Sequence, residues 1–280
     1  MKVVVGSLFL IMLTGVANAQ FYYKDIISTR QNIAKWKAYK AAGVRSVRVN
    51  SFEADGQPTE GFQLTQTITP DFSEMTTHSK ANGTTETWTF ATYSPEGFLT
   101  GITDTSDTYQ SVSTYRYDDH GRLTTLANTS TETDNHVKAF ETHLWQYGPA
   151  SDQPAGMLKI VNNTDTTFVR FVTDDKGNIA EEHATRNNTA LPVIYYYYDD
   201  NNRLTDIVRY NLQARRLLPD NIFEYNEDGK MTSLLAVQEG AASYQKWIYQ
   251  YNDKGLRIKE SCFSKERELL GHIEYQYTYK

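Results

Sequence analysis

One cysteine, Cys262, stands in 280 residues. An intramolecular disulfide is therefore excluded, and the fold must be stable through packing alone. With no cysteine near residue 20, a lipid-anchored lipoprotein is not expected. Basic residues are outnumbered, 28 Lys and Arg against 34 Asp and Glu, for a net charge of −6. They are scattered, with no stripe to neutralise a phosphate backbone, so nucleic acid is a poor candidate partner. No HExxH, G-x-S-x-G elbow or P-loop occurs, and neither EF-hand nor nonapeptide calcium spacing is present. Prolines are few, at seven, while tyrosines number twenty amid many Thr, Asn and Asp. That is the composition of a polar β-protein rather than a disordered chain.

The only long apolar run is the first. Met1-Lys2 precedes an apolar stretch from Val3 to Val16, then Ala17-Asn18-Ala19 and Gln20. A positive start, a short apolar core and an A-x-A ending read as a secretory signal over residues 1–19, cleaved after Ala19. The run is shorter than the ~20 residues of a membrane span. The chain is thus expected to be secreted, or exported to the periplasm or cell surface, with no membrane span after cleavage. Asn-x-Ser/Thr sequons lie at Asn82, Asn128, Asn162 and Asn187.

A repeat organises most of the remainder. Gly97, Gly121, Gly177, Asn202, Gly229 and Gly255 occupy one aligned position, 24, 56, 25, 27 and 26 residues apart. The long gap is close to two units, and Leu144 to Tyr147 with Gly156 to Leu158 fits a degenerate copy; Asp55-Gly56 is an earlier candidate. Four residues before the aligned position stand Tyr93, Tyr117, Thr173, Tyr198, Tyr225 and Tyr251, and six before it Ala91, Tyr115, Phe171, Tyr196, Phe223 and Tyr249. Five of six are aromatic at each place in a chain that is 13% aromatic, which chance does not give.

Each letter of the phrase has a physical role. Aromatics two apart share one face of a strand. Asp118, Asp174, Asp199, Asn226 and Asn252 follow, side chains able to accept backbone N–H groups in a turn. Glycine then supplies positive φ, and Asn202, the one exception, is the non-glycine residue that best tolerates it. Leu99, Leu123, Ile179, Leu204 and Met231 lie two residues beyond, with the last unit shifted to Ile258. A second apolar position falls three further on, at Leu126, Ile207 and Leu234. That odd spacing predicts a β-bulge in the return strand. One unit is two strands of about 5–8 residues plus two turns, which fits a ~25-residue period.

The expected fold is all-β. A long antiparallel meander of repeated hairpins, about 14 strands, should twist and curl into a coiled sheet or partly closed shell. The phrases Tyr115 to Leu123 and Tyr196 to Leu204 resemble the YD repeat, YxYDxxGRL, of the RHS/YD-repeat family; Phe223 to Met231 and Tyr249 to Gly255 are weaker copies. The resemblance covers roughly residues 90–280. It implies a spiralling β-sheet shell and, for some members, carbohydrate binding. With so few repeats, neither a large cage nor a C-terminal toxin domain is expected.

Residues 20–50 read as an N-terminal cap and 51–280 as the repeat domain. Within the cap, Ser28-Thr29-Arg30-Gln31 fits a capping box, Ile33, Trp36 and Tyr39 share a helix face, and Gly43 is a stop. One short helix over 28–42 is expected, as a lid on the first sheet edge or the open end of the curl, or as a surface that docks a partner or lies on a membrane. Ile273 to Tyr279 reads as a final edge strand, blocked by the charge of Lys280.

No catalytic, metal or cofactor site is predicted. His120 reads as a solvated turn residue and Cys262 as a buried strand residue. The paired aspartates at 118–119, 174–175 and 199–200 keep calcium open as an alternative. The defining residues Tyr115, Tyr117, Asp118, Gly121, Tyr196, Tyr198, Asp199, Asn202, Phe223, Tyr225, Gly229, Tyr249, Tyr251 and Gly255 are assigned structural roles. The expected function is a non-catalytic interaction or structural module, with a glycan or another surface protein as partner. Two alternatives stay open: a carbohydrate-binding protein or carbohydrate-active enzyme using a concave aromatic face, and a shell fragment working with a separately encoded partner. Tyr22-Tyr23 and Tyr195 to Tyr198 place some tyrosines off the ladder and are the better binding candidates.

Overall fold

The structure, a computed structural model, describes residues 21–134, 136–149, 151–237 and 243–280. The signal expected over residues 1–19 and its expected cleavage point lie outside the described residues.

Each YD phrase closes a hairpin by the same hydrogen bonds. The Asp118 carboxylate accepts the backbone N–H groups of His120 at 3.0 Å and Arg122 at 2.9 Å, and Gly121 N–H donates to the Asp118 carbonyl at 2.9 Å. Asp174, Asp199, Asn226 and Asn252 repeat this pattern with their own turns. Gly121 has φ 74° and Gly177 φ 82°, while Asn202 holds the equivalent place at φ 57°. The two glycines differ in surroundings. A Cβ on Gly177 would meet nothing within 4 Å, whereas one on Gly121 would lie 2.8 Å from the Phe98 ring. We expect Gly177→Asn to cost about 1 kcal/mol or less, the mild left-handed penalty of asparagine. Gly121→Asn should cost at least about 1 kcal/mol more, because Phe98 must move. Urea midpoints of the two variants check this, and equal losses would refute it.

Directly after every such turn the return strand carries one extra residue. Tyr117 pairs with Leu123 and Arg116 with Thr125, so Thr124 is the bulge. The same register shift recurs where Tyr93, Tyr147, Thr173, Tyr198, Tyr225 and Tyr251 meet their return strands. The Tyr147 hairpin, Lys138–Tyr147 with Pro154–Val161, is therefore the degenerate unit inside the long gap. A bulge leaves a carbonyl free of the ladder, and the second tyrosine of the next unit takes it. Tyr117 Oη donates to Leu99 O, Tyr147 to Leu123, Tyr225 to Leu204, Tyr251 to Met231 and Tyr277 to Arg257, at 2.6–2.9 Å. Arg122 lies 4.7 Å over the Tyr147 ring and Arg203 5.0 Å over that of Tyr225. Consecutive hairpins are thus bonded through the side chains that define the repeat.

The sheet closes. Nineteen antiparallel strands are described, and the first, Val44–Glu53, pairs with both the second, Gln63–Ile68, and the last, Leu269–Tyr279. The two-residue strand Thr189–Ala190 only extends the end of Ile179–Arg186, which itself continues to Ile194–Tyr198, so eighteen strands form the ring. This corrects two expectations. The final strand is an interior strand of a barrel, and the Lys280 backbone N–H bonds to the Gly43 carbonyl at 2.9 Å rather than guarding an edge. The strand count exceeds about 14 because four strands lie outside the repeated hairpins: the first three, Val44–Glu53, Gln63–Ile68 and Glu74–Lys80, and the last, Leu269–Tyr279. The boundary drawn between residues 50 and 51 falls inside the first of them.

A ring of this size is wider than wall side chains can fill; barrels of 16–18 strands enclose an aqueous lumen. The helix Lys24–Ala42 occupies part of that space at the mouth formed by the YD turns. It touches opposite walls. Tyr23 lies against Phe171 and Tyr196, whereas Trp36 stacks on Tyr93 and Tyr39 meets Tyr277. The helix is therefore a plug, and with the ring closed there is no sheet edge for a lid to cover. It also begins four residues before Ser28. The capping box is unused, Ser28 Oγ donating instead to the Asp25 carbonyl within the helix. Gly43, at φ 70°, stops the helix as expected, its N–H bonded to Lys40 O and Tyr39 O. Trp36 and Tyr39 are buried and Ile33 half-buried on the predicted face.

Candidate functional site

Repeats explain folding, so residues that break the repeat inside the barrel are the informative ones. Five residues beyond the turn position, the inward side chain is Ile102, Leu126, Ile207 or Leu234 in four units, but Glu182 and Glu260 in the other two. Two residues beyond it stand buried or half-buried apolar groups, except in the last unit. There Arg257 pairs with Tyr251 at the inward place, and Ile258 is the exposed bulge residue. The apolar position is thus not shifted to Ile258; an arginine has replaced it.

Glu182 is 1% exposed and meets the start of the plug. Its carboxylate accepts the backbone N–H groups of Tyr22 and Tyr23 at 2.9 Å and the Tyr196 hydroxyl at 2.8 Å. Helix N-termini leave backbone donors unpaired and favour negative charge, so a wall residue caps the helix that its own sequence leaves uncapped. Burial, against the pull of these donors, raises the Glu182 pKa above the usual carboxylate range.

Beside it runs a chain of charges. His143 Nδ1 is 2.5 Å from Asp25 Oδ2, its Nε2 is 2.9 Å from Glu141 Oε1, and Glu141 Oε2 is 2.8 Å from Lys159 Nζ. The His143–Glu141 contact lies off the hydrogen-bonding axis and is ionic in character. Burial alone would lower the His143 pKa, but Asp25 and Glu141 outweigh it and raise it. Burial likewise opposes ionisation of Glu141, yet His143 and Lys159 hold it down to about 2. A raised histidine pKa gives stability that is complete below the unfolded value, about 6.5, and lost as pH climbs through the folded one. A depressed glutamate pKa gives stability present above about 4.5 and lost toward about 2. His143→Gln should remove the alkaline loss and weaken the acidic tolerance. Urea unfolding from pH 3 to 9 reads both limbs, and an unchanged profile would contradict the assignment.

The second cluster faces the other side of the plug. Arg257 Nη1 is 2.8 Å from Glu260 Oε1, and the guanidinium lies 4.0 Å over the Tyr249 ring. The Tyr275 hydroxyl donates to Glu260, which is 6% exposed. On the helix, burial and the Arg257 charge hold the Lys35 pKa below the ordinary lysine range, with Glu260 opposing them.

The ladder residues Tyr115, Tyr117, Tyr196, Tyr198, Phe223, Tyr225, Tyr249 and Tyr251 point inward and are buried or half-buried, most of them around the helix. Tyr22 and Tyr23 are buried too, at 8% and 3% exposed, which corrects their expected availability for binding. Tyr195 and Tyr197 face outward, Tyr197 at 48% exposed, in a shallow groove with Asp174, Lys176 and Glu181. His120 is exposed in its turn, and Cys262 is 2% exposed, burial pushing its thiol up to about 12. Asn128 donates to Ser111 and Ser113 on the inner wall, so that sequon is not a surface one. Among the described residues no group of three His, Cys, Asp or Glu could hold a metal ion. His143, Glu182, Arg257 and Glu260 were legible only as departures from the repeat; nothing local marks them.

The chain matches no protein-family model and no curated protein sequence. Among solved structures it is similar to the TcdB2-TccC3-Cdc42 crystal structure at 13% identity and TM-score 0.34, covering 77% of this chain and 12% of that one. It is similar also to the Photorhabdus luminescens Tc holotoxin pore at 11% identity and TM-score 0.30, over 78% of this chain and 15% of that one. A porin-like protein from Bacteroides uniformis is similar at 11% identity and TM-score 0.41, over 84% of this chain and 98% of that one. The chain thus spans a small part of the toxin chains and nearly the whole length of the porin-like protein.

Proposed function

We propose that this chain is an exported, non-catalytic interaction module whose working face is the outside of the barrel. The observation that supports this reading is the plug. With Trp36, Tyr39, Tyr22 and Tyr23 buried against the ladder, much of the concave aromatic face is packing surface. The outer wall carries an apolar strip instead. Phe168 pairs with Leu158 and Leu158 with Leu144 across three neighbouring strands, with Phe168 64% and Leu144 36% exposed. Arg170, Glu224, Lys246, Lys259 and Glu274 are interspersed on the same outward side. Facing lipid, each Arg or Lys would cost about 2–4 kcal/mol near the midplane, so the wall suits water and a protein partner.

Cross-linking and affinity capture from the surface of the source cells test the reading, using the wild type and Phe168→Ser. A specific partner retained by the wild type and lost with Phe168→Ser is expected. A glycan-array signal abolished by Tyr197→Ala, with no protein partner, would replace this reading by the carbohydrate one.

A further inference from the structure

At the barrel end opposite the YD turns, most hairpins close with polar residues that serve the turn alone. Asn162-Asn163 and Asn187-Asn188 hold paired left-handed positions, at φ 50–61°, the geometry of a tight two-residue reversal. The end that joins Leu204–Asn211 to Arg216–Tyr225 is different. Its turn is ordered, Asn211 Oδ1 accepting the Ala214 N–H at 2.8 Å and Arg215 taking φ 53°. Yet Leu212, inside that turn, is 82% exposed, the most exposed large apolar side chain among the described residues.

Two more apolar groups join it. Tyr210 and Leu217 form a cross-strand pair on the outer face, the side that Val208 shares with Tyr195, and are 49% and 43% exposed. Residues 210–217 are exposed without a break. The register explains why. Ile194–Tyr198 follows this hairpin only as far as Arg209, and Met231–Val237 only as far as Asn221. Beyond those rungs the hairpin end bonds across its own ladder, and neither neighbouring strand bonds to it. Three residues past Arg209, at ~3.4 Å each, carry Leu212 about 10 Å from the last shared rung.

The charge at this end is of one sign. Residues 207–219 hold three arginines and no Asp or Glu, in a chain whose net charge is −6. Arg209 pairs with Asp220 at the base. Arg215 and Arg216 stand further out, exposed on the turn beside Leu212. Tyrosine, leucine and arginine together suit a bilayer interface: the phenol at headgroup depth, the leucine among the upper acyl chains, the guanidinium on lipid phosphate. Three apolar side chains on a convex turn fall far short of the roughly 20–30 residues a side of a stable protein interface. A lipid surface accepts such a tip without a complementary cavity.

We propose that this hairpin end seats the barrel on an anionic lipid surface, Leu212 and Tyr210 entering the interface and Arg215 and Arg216 binding lipid phosphates. The contact is peripheral. The charged outer wall stays in water, and the plugged mouth faces away from the bilayer. The anchor uses none of Phe168, Leu158 or Leu144, so it stands or falls separately from the interaction role proposed above.

The test is flotation of the purified protein with vesicles of phosphatidylcholine, alone or mixed equally with phosphatidylglycerol. Binding to the mixed vesicles is expected. It should be about tenfold weaker when Arg215→Gln and Arg216→Gln are combined, and as weak on phosphatidylcholine alone. Leu212→Ser should weaken it several-fold, and Phe168→Ser should leave it unchanged. Raising salt from about 0.1 M to about 0.5 M should reduce it, since the arginine attraction is screened. Depth is read from a nitrobenzoxadiazole label on Leu212→Cys, Cys262 being 2% exposed and shielded from the reagent. Label emission should rise and shift to the blue with the mixed vesicles. No binding to those vesicles, or equal binding by the double-arginine variant, would overturn the anchor. Binding with an unshifted label would overturn insertion of the tip. A soluble protein captured through Leu212, with no vesicle binding, would make this end a protein contact instead.

Discussion

Trp36→Ala should lower the unfolding free energy by about 3–5 kcal/mol, the usual cost of deleting a fully buried tryptophan. Trp36 is 1% exposed. Its ring stacks on Tyr93 at 3.7 Å between centroids and 7° between planes, and meets Phe72 edge-on at 5.9 Å. The cavity left behind could not collapse. The ring of strands is closed by hydrogen bonds on every side, so the wall cannot move inward without breaking its register. Trp88 is the control. It faces outward at 41% exposed, and Trp88→Ala should cost under about 1 kcal/mol. At roughly 2–4 °C per kcal/mol for a domain of this size, thermal melts separate the two variants clearly. Equal midpoints would mean that the plug does not support the barrel.

The contrast between those tryptophans shows what a sequence of this kind discloses. The YD phrase made the hairpin, the turn acceptor, the left-handed position and the bulge legible, because all four are local and repeated. Closure was not. Whether a meander coils or shuts depends on the first strand meeting the last, and Val44–Glu53 and Leu269–Tyr279 lie more than two hundred residues apart with no shared motif. The helix was legible through Trp36, Tyr39 and Gly43, but not its start. Its cap is Glu182, 160 residues away in sequence, and a local rule such as the capping box cannot see it. Arg257 was misread for a related reason. Apolar Ile258 beside it seemed to keep the pattern, whereas the bulge turned Ile258 outward and placed the arginine inside.

Glu182→Leu should damage the plug about as much as loss of Trp36, costing about 3–5 kcal/mol. It removes the acceptor of three donors that are otherwise buried: Tyr22 N–H, Tyr23 N–H and Tyr196 Oη–H. Each orphaned buried donor costs about 1–3 kcal/mol, partly offset by leucine's favourable burial. Glu182→Gln keeps one carbonyl oxygen and should lose about half as much. The two variants also separate the charge from the hydrogen bonds. Because burial raises the Glu182 pKa, the folded state holds this proton where the unfolded chain has released it. The contribution is therefore complete below the unfolded carboxylate pKa and declines as pH rises toward the folded one. Neither variant can show that decline. Amide hydrogen exchange at Tyr22 and Tyr23 supplies the local readout: slow in the wild type, intermediate in Glu182→Gln and fast in Glu182→Leu. Fast exchange in the wild type would show that the carboxylate does not hold the helix start. The plug would then depend on its Trp36 end alone, and Trp36→Ala should release the helix altogether.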